Sequence, residues 1–490
     1  MSFIDLFCLP DVKLVFYVVS QTGIESFMST RDWHSKLVCE RVEAWAERFP
    51  GRISLIEWEN GNQIMYKQLA DMIHKYAVQL LLSGYKPGDR IALSMDMSPR
   101  FIAMLFACWK VGMIAVPVKM NLDEPEESLQ KLVLVEPRAW FLLDLPAPLP
   151  EYECTRFMEL LPSVNLFVSD STFEQTHAYV CQSWDQWLNS QKTKKFFWKS
   201  RKFGKLTKIQ KNLHAWQPAW VCFKSISEKR TLPILLCHEN IIIQHTLMVR
   251  ATAEKEHSCS WIGNEIEDLS TNLLSLISVL LSGGKIVLSK SNHADNIIQA
   301  VHRYQISRLI LHTVKFEAIW RSPSYHPIEF KSLTYAIYLD APSYFDFQQK
   351  LEEIAPAYGT GFFQEEAGGF ATFYALNRPD RYLAENELGV AYETIGKVSI
   401  REPMNPGGGA GTELPDGQLG DICCHPPLVF SGYYQQPELT SQILSREGIL
   451  YTGFLGFFKQ IEGRRVLILV GENKLPRNND LHSYPQPSSS

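Results

Sequence analysis

The chain has 490 residues, a formal net charge of −5, 46% hydrophobic residues and 21% charged residues. This length exceeds what one ordinary hydrophobic core organises, so we expect a globular protein of two or three subdomains. The negative charge argues against nucleic acid as the main partner, because binding phosphates requires a basic surface. Ten cysteines without a Cys-x-x-Cys pair do not indicate a disulfide framework or a zinc site.

No segment has the features of a signal peptide or of a membrane span. The N-terminus lacks a charged region followed by a long apolar run. The longest apolar stretch, residues 273–281, is too short to cross a bilayer. We therefore expect a cytoplasmic protein without a transmembrane segment.

Predicted helices and strands alternate along the first part of the chain. Apolar residues recur at helical spacing in residues 30–49 and 66–83, and Pro99 suits the first turn of a third helix that ends at Lys110. Strands are predicted at residues 53–58, 90–94 and 114–118. Such alternation indicates a mainly parallel sheet with helices on its faces.

The pattern weakens between residues 146 and 218, where a basic and aromatic segment stands out. Residues 192–211 hold nine Lys or Arg and no acid, together with Phe196, Trp198 and Phe203. One interpretation is a solvated loop between subdomains. The alternative is a contact for an anionic surface, such as a membrane, an acyl carrier protein or another partner.

The alternation resumes after residue 220 and changes character near residue 389. Helices are predicted at residues 272–281, 294–304 and 344–354, and strands at residues 285–289, 306–312 and 333–339. Beyond Gly389, short strands with Gly and Pro turns are typical of a small β-barrel.

These patterns together predict an α/β fold with two parallel-sheet α/β subdomains and a small β-barrel. The predicted domains are a first α/β subdomain over residues 1–215 with the basic linker at its end, a second α/β subdomain over residues 216–385, the barrel over residues 386–473 and a polar, disordered tail over residues 474–490.

Several segments, in the right order and spacing, resemble the adenylate-forming superfamily of acyl-CoA synthetases, fatty acyl-AMP ligases and nonribosomal adenylation domains. The segments are residues 66–69, 84–93, 110–118, 340–342, 417–422, 431–440, 451–457 and 463–465. The resemblance covers roughly residues 32–473 and implies the large N-terminal domain of that superfamily. It also implies a further C-terminal subdomain with a catalytic lysine, and we expect no counterpart of that subdomain in this chain.

The resemblance implies a reaction in which a carboxylate attacks the α-phosphate of ATP, helped by Mg²⁺ and by positive charge. It places the glycine-rich phosphate loop at residues 224–233, where this chain has no glycine. Ser225 is kept, Ile226 and Lys229 replace glycines, and Leu232 replaces a lysine. Lys224 and Lys229 offer charge on flexible side chains instead of a cradle of backbone N–H groups. The alternative interpretation is an ordinary exposed turn.

The remaining nucleotide contacts are also carried over from the resemblance. Phe362 matches the aromatic residue that stacks on adenine, and Glu366 matches the glutamate linked to Mg²⁺. Asp340 and Ala341 match a nucleotide-binding turn, and Arg464 matches an arginine near the ribose. The alternative is that Phe362 belongs to the core and that the glutamates form a solvated edge.

One substitution weighs most heavily against ATP chemistry. Phe454 stands where the superfamily has the aspartate that accepts hydrogen bonds from both ribose hydroxyls, and a phenyl ring cannot accept them.

We therefore expect a catalytically impaired member of the superfamily that acts as a scaffold or binding protein and uses no cofactor. The first alternative is an acid-CoA or fatty acyl-AMP ligase that uses ATP and Mg²⁺, completed by a partner that supplies the missing domain. The second is an acyl-binding protein that needs no ATP. Expected partners are an acyl carrier protein or a biosynthetic enzyme, and a carboxylic acid ligand.

Overall fold

The computed structural model describes residues 37–147, 149–170, 180–189, 203–227, 230–252, 256–339, 345–374, 383–384, 386–391 and 395–473. Within these ranges the chain forms two sheets that are mostly parallel, each with seven strands, one antiparallel sheet with six strands, and a two-stranded antiparallel sheet of Phe363–Gln364 and Gly369–Phe370. The predicted α/β architecture with two parallel-sheet subdomains and a small β-barrel is confirmed, and the barrel is a curled antiparallel half-barrel sheet. Lys229, Asp340, Ala341 and most of the basic segment 192–211 lie outside the described residues.

Helices cover the faces of the two parallel sheets. The described helices are Val38–Arg48, Tyr66–Leu82, Pro99–Lys110, Glu126–Val135, Glu151–Leu160, Trp184–Leu188, Phe203–Asn212, His238–Thr252, Leu269–Thr271, Ser278–Leu281, Ala294–Tyr304, Thr313–Arg321, Phe345–Ile354 and Pro437–Ile443, with a π-helical segment at Asn272–Ile277 and 3₁₀ turns at Pro327–Phe330 and Glu365–Ala367.

The first parallel sheet is built around the strand Arg90–Ser94. Its strands, in spatial order, are Val180–Gln182, Leu166–Ser169, Ala139–Leu142, Arg90–Ser94, Ile114–Pro117, Pro218–Ser227 and Arg230–Cys237. The last two strands form a long antiparallel hairpin, and the hairpin joins the sheet through a parallel pairing of Ala115 with Trp220. We call these two strands the 218–237 hairpin.

The second parallel sheet is completed by strands from the beginning of the chain. In spatial order it contains Tyr358–Gly359, Tyr335–Leu339, Arg308–His312, Cys259–Ile262, Lys285–Leu288, Ile53–Glu57 and Gln63–Met65. Leu55 pairs with Ile286, so a strand near the N-terminus lies beside one more than 200 residues later. The sheets therefore do not follow the predicted domain boundary at residue 215, and the domain limits remain a prediction.

The antiparallel sheet follows the parallel sheets in the chain and curls as a half-barrel. Its strands, in spatial order, are Thr372–Phe373, Glu387–Ala391, Arg464–Glu472, Leu450–Ile461, Gly420–Cys424 and Val398–Arg401. Ile422 and Leu467 bury their side chains in the same large hydrophobic core as Phe101 and Trp220 of the first sheet's layer. This shared core fixes the barrel sheet against the first parallel sheet.

Local sequence explains why the helix Pro99–Lys110 begins and ends where it does. The Ser98 hydroxyl accepts a hydrogen bond from the backbone N–H of Phe101 at 3.2 Å, and Pro99 occupies the first turn. Gly112 follows the helix with φ = +72°, which a residue with a Cβ rarely adopts. The Trp109 indole donates to the Ala219 carbonyl at 2.8 Å, so the helix is fixed to the 218–237 hairpin.

Candidate functional site

The segment at the place of the implied phosphate loop is part of the 218–237 hairpin. Lys224 pairs with Leu232 and Ser225 with Thr231 in an antiparallel register. Backbone groups in such a ladder bond to each other and lie extended, whereas a phosphate cradle requires several N–H groups that converge on one anion. Ser225 is exposed on the strand. The described part of the segment is therefore neither a phosphate cradle nor an isolated turn.

The second strand of the hairpin is also engaged on its other side, by a segment that leads into the barrel sheet. The Leu235 carbonyl accepts from the Ser431 N–H at 2.8 Å, and the Leu235 N–H donates to the Gly432 carbonyl at 3.0 Å. The Pro233 carbonyl accepts from the Tyr434 N–H at 2.8 Å. These bonds bring the Tyr433 side chain to the same region as Lys224.

Glu366 lies at the centre of the site, on the 3₁₀ turn Glu365–Ala367, and is 2% exposed. The Lys224 ammonium lies 2.9 Å from both of its carboxylate oxygens. The Tyr433 hydroxyl donates to Oε1 at 2.8 Å, and the Gln364 amide donates to Oε2. Glu366 is thus buried and fully bonded, and the interpretation of a solvated acidic edge does not apply to it.

The Lys224 ammonium forms an ion pair with Glu366, and this pair affects its pKa. Glu365 adds a second carboxylate, with its Oε2 3.6 Å from the ammonium. Burial acts to lower the pKa of Lys224, but Glu366 and Glu365 outweigh it and raise that pKa above its ordinary value. In the structure the Lys224 side chain is held by two carboxylates, so it is not a freely flexible charge, and its role in binding phosphate stays a prediction.

The residues around Glu366 do not fit the Mg²⁺ ion that the resemblance implies. Mg²⁺ binds oxygen ligands at about 2.1 Å in nearly ideal octahedral geometry. Both oxygens of Glu366 already accept hydrogen bonds from Lys224 and from either Tyr433 or Gln364. A metal ion on either oxygen would also meet the positive charge of the ammonium at close range.

An aromatic pair fills the position implied for adenine and ribose. The rings of Phe362 and Phe454 contact edge to face, with centroids 5.7 Å apart and an interplanar angle of 84°. Phe362 is 4% exposed, and its backbone bonds to Thr372 and Ala371. The interpretation of Phe362 as a core residue therefore agrees with its burial, and its contact with Phe454 covers one edge of the ring.

Arg464 lies away from this group of residues. It pairs with Ile461 at the far end of the hairpin formed by Leu450–Ile461 and Arg464–Glu472, whereas Phe454 pairs with Glu472 at the near end. At about 3.3 Å per strand residue, Phe454 and Ile461 are separated by about 23 Å along the strand. The Arg464 side chain is exposed. The structure therefore brings Lys224 to Glu366 and Phe362 to Phe454, and it places Arg464 far along the strand from Phe454.

Sequence reasoning missed three residues of the site: Gln364, Glu365 and Tyr433. Tyr433 belongs to the segment 431–440, which carries the resemblance to the superfamily but does not itself indicate a role for Tyr433. Gln364 and Glu365 are sequence neighbours of Glu366, so their proximity could have been expected. No local signal indicates that Tyr433 reaches a residue 67 positions earlier.

A second polar cluster lies at the carboxyl edge of the second parallel sheet, where α/β proteins commonly bind ligands. His312 ends its strand, and its Nε2 lies 2.6 Å from Oδ2 of Asp268. Burial acts to raise the pKa of Asp268, but hydrogen bonds from His312, Ser270 and the Thr271 backbone outweigh it and lower that pKa to about 2. Asp268 is therefore a strongly held carboxylate at this edge.

None of the helices in the described ranges is both long enough and apolar enough to span a bilayer.

Proteins of known function are similar to this chain over most of its length. A feruloyl-CoA synthase from Amycolatopsis sp. is 22% identical over 439 residues, which span 87% of this chain and 79% of that protein. A crotonobetaine/carnitine–CoA ligase from Salmonella enteritidis is 21% identical over 409 residues, which span 81% of this chain and 72% of that protein.

Solved structures share the fold at lower sequence identity. A putative long-chain-fatty-acid CoA ligase from Rhodopseudomonas palustris superposes with a TM-score of 0.68 at 18% identity, covering 90% of this chain and 100% of that one. A fatty acyl CoA synthetase from Mycobacterium tuberculosis gives a TM-score of 0.68 at 14% identity, covering 90% of this chain and 79% of that one.

The AMP-binding enzyme family matches residues 42–434, which include both parallel sheets and the site around Glu366. The chain therefore belongs to the AMP-binding enzyme family.

Proposed function

We propose that this protein is a member of the AMP-binding enzyme family that has lost ATP chemistry and serves as a scaffold or binding protein. The observation that carries the proposal is the contact of Phe454 with Phe362. The family position that accepts hydrogen bonds from the ribose hydroxyls holds a phenyl ring, and this ring covers an edge of the aromatic residue implied for adenine stacking.

Two further observations support the same proposal. The backbone of the implied phosphate loop is paired in the 218–237 hairpin, so its N–H groups do not converge on an anion. The charges at the centre are one ammonium and two carboxylates, from Lys224, Glu365 and Glu366. This balance is negative, and a negative site disfavours a triphosphate.

Isothermal titration with ATP and Mg²⁺ at millimolar concentration tests the proposal. We expect no saturable heat for the parent protein. The matched control is Phe362→Leu, which removes the ring implied for adenine while keeping an apolar core residue. Saturable heat in the parent that disappears in Phe362→Leu would contradict the proposal, because the nucleotide would then use this site.

The second candidate is an acid-CoA or fatty acyl-AMP ligase that forms an acyl-adenylate with ATP and Mg²⁺. Its support is the identity of the relatives, which include a feruloyl-CoA synthase and a crotonobetaine/carnitine–CoA ligase, and the retention of Glu366. Exchange between pyrophosphate and ATP that depends on added aromatic or fatty acids would favour this candidate. No exchange with any of these acids, with candidate partner enzymes present, would favour the first proposal.

A third candidate is an acyl-binding protein that requires no ATP. Its support is the polar cluster of Asp268 and His312 at the carboxyl edge of the second sheet, a position where α/β proteins commonly bind ligands. Native mass spectrometry of the purified protein tests it, because a bound acid adds its mass.

We also propose a partner for this protein, either an acyl carrier protein or a biosynthetic enzyme. The proposed location is the cytoplasm.

A further inference from the structure

We infer that a cleft beside Arg303 binds the carboxylate of a small organic acid with an apolar body, at a second site apart from the one around Glu366. Arg303 lies on the helix Ala294–Tyr304, which packs against the second parallel sheet. The cleft is lined by Trp58, by this helix and by the segment 324–329. Its volume is about 680 Å³, within the range of about 300–1,000 Å³ that is usual for sites of small ligands.

The Arg303 guanidinium is held on aromatic rings. It lies 6.0 Å from the ring centroid of Trp58 and 5.2 Å from that of Tyr304. A guanidinium on an aromatic face keeps its N–H donors in a rigid, planar fork. The turn that follows Trp58 is also close, because a Cβ added to Gly61 would lie 4.0 Å from Nη2 of Arg303. The side chain is therefore positioned in advance for a planar anion.

The charges in the cleft leave Arg303 available for a ligand. Within the described part of the chain, no ion pair joins Arg303 to a carboxylate. Glu329 lines the same cleft, but its Oε2 lies 2.7 Å from Nδ1 of His302 and is engaged there. A guanidinium bonds most strongly to a carboxylate or phosphate, through two parallel N–H···O bonds. The missing partner of this fork is therefore an anion that a ligand supplies.

The rest of the lining determines what kind of anion fits. Ile298 is 3% exposed, and Trp58 is half-buried and packs edge to face against Trp261 with centroids 6.2 Å apart. Gln299 and Ser324 are exposed and add an amide and a hydroxyl. Because Glu329 is paired with His302, the charge of the cleft suits a monoanion, and its apolar surface suits a hydrocarbon body.

The cleft and the site around Glu366 belong to different parts of the core. Trp58 and Tyr304 pack against the hydrophobic cluster of Trp261, whereas Phe362 belongs to the large core of Trp220. Binding of an acid at the cleft therefore does not depend on whether the protein uses ATP.

The experiment titrates benzoate into the full chain labelled with 5-fluorotryptophan and follows the Trp58 signal by fluorine NMR. Trp58→Phe identifies this signal by removing it. We expect a shift that saturates with a dissociation constant of about 1 mM, as one ion pair and one small ring provide. Benzamide has the same shape without the charge, and it should bind about tenfold more weakly.

Arg303→Gln assigns the binding to the guanidinium, and it should weaken benzoate binding about tenfold. The matched control is Arg321→Gln, because Arg321 lies on the adjacent helix Thr313–Arg321, pairs with Glu317 and is 77% exposed. This control should bind benzoate as the parent does. If circular dichroism shows that Arg303→Gln does not fold, the comparison of benzoate with benzamide in the parent decides.

A Trp58 signal that does not move with benzoate would overturn the inference. A signal that moves equally with benzamide, or equally in folded Arg303→Gln, would overturn it as well. The amide of N-acetylglutamate places a carboxylate on a peptide unit, and we expect it to bind more weakly than benzoate. Tighter binding of this compound would contradict the assignment to an acid with an apolar body.

Discussion

The ammonium of Lys224 and the carboxylate of Glu366 form a two-pronged ion pair, with 2.9 Å from Nζ to each oxygen, between residues 142 positions apart in the chain. The pair joins the 218–237 hairpin to the turn that carries Glu366, and Tyr433 adds the segment that leads into the barrel sheet. One side-chain cluster therefore connects the first parallel sheet, the turn between Phe363–Gln364 and Gly369–Phe370, and the segment that leads into the barrel sheet.

We expect Lys224→Met to lower the free energy of unfolding by about 3 kcal/mol, because removing one partner of a buried pair leaves an uncompensated charge. Urea unfolding followed by circular dichroism, with Mg²⁺ and Mn²⁺ removed by a chelator, measures the loss. The matched control is Lys67→Met, since Lys67 pairs with Asp71 on the surface and both side chains are more than half exposed. An equal loss in both variants would contradict the assigned role of Lys224.

The contact between Phe362 and Phe454 is expected to stabilise the fold beyond the burial of each ring. Edge-to-face aromatic pairs contribute about 1 kcal/mol of coupling in double-mutant cycles. The cycle uses Phe362→Leu, Phe454→Leu and the double variant, each measured by urea unfolding. Free energies that add without coupling would mean that the two rings act independently.

His238 is expected to make the protein sensitive to mild acid. The side chain is fully buried, and burial lowers its pKa to about 4. Because the unfolded state binds a proton near pH 6.5 and the folded state only near pH 4, stability is lost as pH falls through this window. Because of this residue, the free energy of unfolding is expected to be about 2 kcal/mol lower at pH 5 than at pH 7.

The measurement compares urea unfolding at pH 7 and pH 5 for the parent and for His238→Leu. Leu fills a similar volume and cannot bind a proton, so the variant should show a smaller loss of stability between the two pH values. The exposed His257 provides the control, and His257→Leu should leave the difference unchanged. A loss that is equal in the parent and in His238→Leu would exclude His238 as its source.

Asp268 is expected to stabilise the folded state at neutral pH and to lose this effect only in strong acid. Its pKa of about 2 lies below the value of about 3.9 in an unfolded chain. Asp268 therefore adds about 2 kcal/mol to the free energy of unfolding above pH 4, and this amount is lost as the pH falls from 4 to 2. We expect Asp268→Asn to have a free energy of unfolding about 2 kcal/mol below that of the parent at pH 7. Asp71→Asn is the surface control. An unchanged stability in Asp268→Asn would contradict the assignment.

Much of the secondary structure follows from local patterns. The helix predicted at residues 66–83 is observed at Tyr66–Leu82, and the strand predicted at residues 306–312 is observed at Arg308–His312. Both depend on apolar spacing and on turn residues, which are properties of short segments. The pairing of Leu55 with Ile286 depends on contacts between distant segments, and no local pattern indicated that the strand Ile53–Glu57 would join the second sheet.

The sequence predicts several residues of the candidate site but not the contacts between their side chains. The resemblance selected Lys224, Phe362 and Glu366, and the structure places Lys224 on Glu366 and Phe362 on Phe454. The sequence does not indicate that Lys224 is held in an ion pair, because its two acidic partners lie more than 140 positions away in the sequence. A motif match depends on the sequence of one segment. An ion pair depends on which distant side chains the fold brings together.

The pairing of Ile53–Glu57 with Lys285–Leu288 determines when each sheet can close during synthesis on the ribosome. The first sheet acquires its last strand, Arg230–Cys237, before the strand that Ile53–Glu57 needs has been translated. The nascent chain must therefore keep an early apolar hairpin without its neighbour until residues 285–288 have been translated.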